Sequence, residues 1–83
     1  MLKRFWFRFG RSSKQGILDF GCGITAYDLS DAQRILHEKV FPIYGEGTIE
    51  QINEDIDVRT LDANHVRPNM GNPALRGVWF PLI

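Results

Sequence analysis

Residues 2 to 9 alternate: Phe5, Phe7 and Phe9 fall on one side of an extended chain, with Leu2, Arg4, Trp6 and Arg8 on the other. This period of two predicts a strand whose phenylalanines face the core. Gly10 to Gly16 has turn composition and predicts an antiparallel hairpin into the next strand. Ile17 to Tyr27 alternates again, with Leu18, Phe20, Cys22, Ile24 and Ala26 inward and Gly21, Gly23, Thr25 and Tyr27 outward. Two glycines on the outer side of a strand predict a bulge, or a place where an aromatic ring or another backbone comes close.

The period then changes. In Ser30 to Phe41 the apolar positions are Ala32, Ile35, Leu36 and Val40, a single stripe on a 3.6-residue repeat, which predicts one amphipathic helix. Ser30 and Gln33 have the spacing of a capping box, and Pro42 predicts the stop. Asp31 sits at the positive end of the helix dipole, and with Arg34 and Glu38 it makes an outer face that reads as solvated.

Ile52 to Val58 predicts a third strand after an irregular or helical entry from Ile49, and Leu61 to Pro73, dense in Asn, Pro and Gly, predicts a long ordered loop. Arg76 to Leu82 alternates once more, with Val78, Phe80 and Leu82 facing one way and Gly77, Trp79 and Pro81 the other. Pro81 has no amide proton, so this strand sits at an edge or ends there. The order β-β-α-β-β predicts a small two-layer α+β domain spanning residues 1–83, a roughly four-stranded, mainly antiparallel sheet with one helix, about 30–41, on one face.

Composition narrows the class. With 83 residues, 43% of them hydrophobic, and ten aromatics, the chain has enough apolar surface for one core and not for two. The single cysteine, Cys22, excludes an internal disulfide and fits a reducing compartment, so the expected location is cytoplasmic, in a protein of bacterial style. Arg4 and Arg8 interrupt the apolar start, so no signal-peptide core is expected there, and no run reaches the length of a membrane span. Formal net charge is zero, but it is uneven: Lys3, Arg4, Arg8, Arg11 and Lys14 precede any acid, whereas Glu46, Glu50, Glu54, Asp55 and Asp57 follow one another without a base between them. Such asymmetry bears on partners rather than on fold.

Two surfaces follow as candidate sites. On the sheet face away from the helix, Arg4, Trp6, Arg8, Tyr27 and Trp79 surround the small Gly21 and Gly23. Open aromatics beside arginine suit protein docking, unless one of the two long loops folds over them. The acidic run, with Glu50, Glu54 and Asp55 at its centre, suits a basic partner such as an enzyme or toxin, in the manner of an immunity or inhibitor protein; its alternative reading is an edge strand kept from aggregating by its charges. A homodimer through either surface is compatible with the pattern.

Other chemistries fit less of the chain. Arginines between sheet aromatics suit stacked single-stranded nucleic acid, yet KRFWFRF lacks the glycines of the RNA-recognition signature and the charge balance is neutral. Cys22 with His37 or His65 and Asp62 supplies the residue types of a small hydrolase, but Cys22 alternates with core residues and reads as an inert buried thiol. GCG lacks the third glycine of a dinucleotide loop, and two distant histidines with one cysteine make no zinc site. The expectation is therefore a non-enzymatic protein-binding module with no cofactor and no metal.

Overall fold

The computed structural model describes residues 1–10 and 17–82; the turn expected between Gly10 and Gly16 falls outside them. Four strands, β1 (Lys3–Phe9), β2 (Cys22–Ala26), β3 (Ile49–Glu54) and β4 (Gly77–Phe80), form one antiparallel sheet in the order β3-β1-β2-β4. A helical rod of 16 residues packs on one face, giving the α+β architecture that the alternations predict. β2 and β3 both run antiparallel to β1, so the rod joins two parallel strands that are not neighbours.

The helix-side core follows the sequence pattern closely. Phe5 and Phe7 of β1 and Cys22, Ile24 and Ala26 of β2 meet Ala32, Ile35, Leu36 and Val40 of the rod, all buried, with Ile49, Ile52 and Val78 at the margins. Both ends of the rod differ from expectation. The cap is Asp28, whose carboxylate accepts the Asp31 amide at 2.7 Å. Ser30 therefore lies inside the first turn and forms no capping box. Pro42 does not stop the helix: α1 (Leu29–Ile35) runs through a π-helical turn, Leu36–Val40, into α2 (Phe41–Tyr44). The wider turn, in which Phe41 donates to the Leu36 carbonyl, loosens the carbonyl ladder just where the proline ring would clash with it. Gly45, at a φ of 92°, ends the rod instead.

Three strand boundaries also shift. Ile17–Phe20 is a 3-10 turn rather than strand, closed by the Gly21 amide donating to Leu18, and Gly21 at a φ of 115° redirects the chain into β2. Phe20 is accordingly exposed, not core. β3 begins at Ile49 and ends at Glu54, earlier than the expected 52 to 58, because Asp55 adopts a left-handed φ of 56° and turns the chain away. β4 stops at Phe80, directly before Pro81.

β3 and β4 lie at opposite edges, so the chain between them must cross the sheet. Residues 55 to 76 cross on the side away from the rod, held by 3-10 turns at Val58–Thr60 and Arg67–Asn69. Ile56, Val58, Leu61, Val66 and Met70 pack there against Trp6, Trp79 and Phe80. The sheet is thus covered on both faces, as the alternative of a long loop folding over the tryptophan side requires. Burying one indole removes roughly 200 Å² from water, or about 5 kcal/mol as an upper bound. Against a net stability of roughly 3–5 kcal/mol for a domain of this size, the cover over the two tryptophans is a large favourable term, offset in part by the entropy of ordering the crossing segment.

Candidate functional site

The residues expected to form one aromatic face are dispersed. Trp6 and Trp79, 4% and 1% exposed, stack on each other at 5.8 Å between ring centroids, beneath the crossing segment. Arg4 is half-buried, with its backbone carbonyl accepting the Ile56 amide at 3.0 Å. Arg8 is exposed at a cleft of about 270 Å³ floored by Trp6, Phe20 and Val66 and rimmed by Thr60 and Asp62. Tyr27 lies elsewhere, exposed beside the start of the rod with the Arg76 guanidinium 5.5 Å from its ring centre. Of the two alternatives for this face, open or covered by a long loop, the second is present: both tryptophans form an inner layer under residues that include Leu61, Val66 and Met70.

The glycines explain how that layer closes. A Cβ on Gly23 would overlap the Trp79 ring, and one on Gly21 would lie 2.5 Å from the Trp6 ring. Both are seats for indoles rather than ligand contacts. Trp79 Nε1 and Arg4 Nε are buried and find no acceptor among the described residues, which makes this packing more expensive than an apolar core of equal volume.

Next to Tyr27 lies a polar hub that the sequence pattern places on the solvated face. Asp31 is only 8% exposed; its carboxylate accepts from the Tyr27 amide at 3.1 Å, from Arg34 at 3.0 Å and from two nitrogens of Arg76, the Nε at 2.9 Å. Arg76 above all, then the Tyr27 amide, hold its carboxyl well below the usual carboxylate range. The contact joins the start of the rod to the residue preceding β4.

The hydrolase residues are kept apart. Cys22 is fully buried on the rod side of the sheet, whereas His65 and Asp62 are exposed on the other side, where His65 stacks on Phe20 at 4.8 Å and Asp62 accepts the Asn64 and His65 amides. Burial pushes the Cys22 thiol up to about 12, which leaves it protonated at neutral pH. In the native protein, iodoacetamide should alkylate Cys22 at least ~100-fold more slowly than in urea; comparable rates, read by mass spectrometry, would contradict the burial. Among the described residues, no three His, Cys, Asp or Glu side chains are grouped to hold a metal ion, and no helix is long and apolar enough to cross a membrane.

The acidic run gives the remaining candidate. Glu50, Glu54 and Asp55 are all exposed along or just beyond β3. Among the described residues none of the three is in an ion pair, whereas Asp57 is engaged with Arg59 at 2.9 Å and caps the following turn. Arg59 draws the Asp57 carboxyl down to about 2. β3 itself bonds only to β1, and no other backbone hydrogen bond to Ile49–Glu54 occurs among the described residues. At the opposite edge, by contrast, the Gly71 amide donates to the Trp79 carbonyl at 2.7 Å, and Pro81 follows directly. Sequence spacing located the acids; that they line an unpaired edge depends on the strand order, which no local pattern carries. No protein-family model, curated protein or solved structure matches the chain.

Proposed function

We propose that the chain is a small protein-binding module of the immunity or inhibitor type, docking on a basic surface of another protein through the β3 edge. The observation that carries this reading is the coincidence of an unpaired strand edge with three exposed carboxylates, Glu50, Glu54 and Asp55, that no ion pair neutralises among the described residues. Uncompensated charge of one sign accelerates encounter with an oppositely charged partner. It also discourages edge-to-edge self-association.

The test is a displayed peptide library screened with the wild type and with the triple variant Glu50→Lys/Glu54→Lys/Asp55→Lys. Sequences captured by the wild type should be enriched in Lys and Arg, and their on-rates should drop ~10-fold or more in the variant and on raising salt from 50 to 300 mM, both on the order expected for steering. Circular dichroism confirms that the variant is folded. Enrichment of neutral sequences, or an on-rate that the variant leaves unchanged, removes this edge as the docking surface.

A further inference from the structure

We infer that the partner contributes a strand: an extended basic segment adds to β3, antiparallel to it, and continues the sheet. The inference rests on the docking reading above and specifies how it is made. An edge strand directs alternate amides and carbonyls outward, and those of Ile49–Glu54 have no backbone partner on that side among the described residues. Main-chain hydrogen bonds supply the affinity in such additions, and side chains alternating to the two faces supply the choice of sequence.

The face can be specified. Ile52 packs into the rod-side core, and Glu54, two residues on and opposite the buried Phe5, shares that side, whereas Glu50 is the extra residue of the bulge between Ile49 and Gln51 and lies beside Gly10. The complementary segment therefore has one Lys or Arg toward each end, one to meet Glu54 and one to meet Glu50 at the bulge, with β-branched residues between them. A second copy of this chain is a poor occupant: its β3 edge carries the same exposed Glu50, Glu54 and Asp55, and like charges brought together across paired strands are destabilising. The bulge near Ile49, where the register with β1 shifts between Arg8 and Phe9, bends the edge at one end and limits the added strand to about the length of β3.

The probe is an acetylated seven-residue peptide amide with Lys at its second and sixth positions and Val or Thr elsewhere. Two further peptides of the same sequence are N-methylated on one or the other alternate set of backbone amides. Binding to the wild-type protein is followed by amide shifts in a heteronuclear NMR titration. The parent peptide should shift the amides of Ile49–Glu54, one methylated peptide should bind within threefold of it, and the other should bind at least tenfold more weakly. Equal affinities of the two methylated peptides, whether high or low, overturn strand addition while leaving charge-driven docking at the edge in place. Failure of the parent peptide to shift β3 amides at 1 mM in 20 mM salt, together with failure of tetralysine to do so, overturns both.

Discussion

Gly23→Ala should cost about 3 kcal/mol, the upper end for overpacking a close-packed interior, and lower the midpoint of thermal unfolding by roughly 15 °C. The added methyl meets three atoms of the Trp79 ring, and that ring is pinned between Gly23 and Trp6 with only 1% of its surface exposed. Against a net stability of roughly 3–5 kcal/mol, much of the population should be unfolded at 37 °C. Gly10→Ala is the matched control: its methyl meets the Glu50 carboxylate, the mobile end of an exposed side chain, so the change should stay within about 0.5 kcal/mol. Combining Gly23→Ala with Trp79→Leu relieves the overlap, and the two changes should be non-additive, the double variant losing less than the sum of the single losses. Melting followed by circular dichroism reads the wild type, the three single variants and the double variant. A Gly23→Ala midpoint within 3 °C of wild type would mean that the indole is not seated on the glycine.

The second large effect is expected at Asp31. Asp31→Asn keeps the shape but removes the charge that holds both Arg76 and Arg34, and the midpoint at pH 7 should fall by ~10 °C. Most of that loss belongs to Arg76, because Arg34 is 63% exposed and its contact is largely screened. The pH dependence has a definite sign. The folded state holds the Asp31 carboxyl below its unfolded value of about 4, so the unfolded chain takes up the proton first. The contribution is complete above that value and is lost as pH falls through the folded one. Wild type should therefore lose stability steeply below pH 4, and Asp31→Asn less steeply, so that the gap between their urea midpoints narrows continuously from pH 4 down to pH 2. Asp57 and Asp62 are shifted the same way and leave the variant some acid sensitivity. Parallel curves across the whole range would remove Asp31 as the source.

How far the sequence reaches is set by whether a residue's fate depends on its neighbours in the chain. Phe5, Phe7, Ile24, Ala32, Ile35, Leu36 and Val40 were all legible as core because their periodicity is local. Asp31 was not: its pattern position is outward, and only the arrival of Arg76, 45 residues away, makes it a buried hub. The cover over Trp6 and Trp79 was left open by the sequence for a related reason. Their parity placed them correctly on the face opposite the helix, but what covers that face is decided by strand order, which sends β3 and β4 to opposite edges. Gly21 and Gly23 carried the clearest advance signal of that cover, since a strand rarely omits two side chains unless something occupies their volume.

The same crossing segment governs the order in which the molecule can assemble. β1, β2 and the helix are close in sequence and can associate early, but the layer over Trp6 needs residues 55 to 76 anchored at both ends, and its far anchor is β4. Such long-range closures are slow relative to local contacts. During synthesis, a nascent chain that has completed β3 still displays the Trp6 indole, and the Asp31 carboxylate still lacks its main partner. The docking of β4 therefore sets the moment when an adhesive intermediate becomes an inert one, which makes the interval before Gly77–Phe80 dock the period of greatest exposure of this sheet to chaperones and to aggregation.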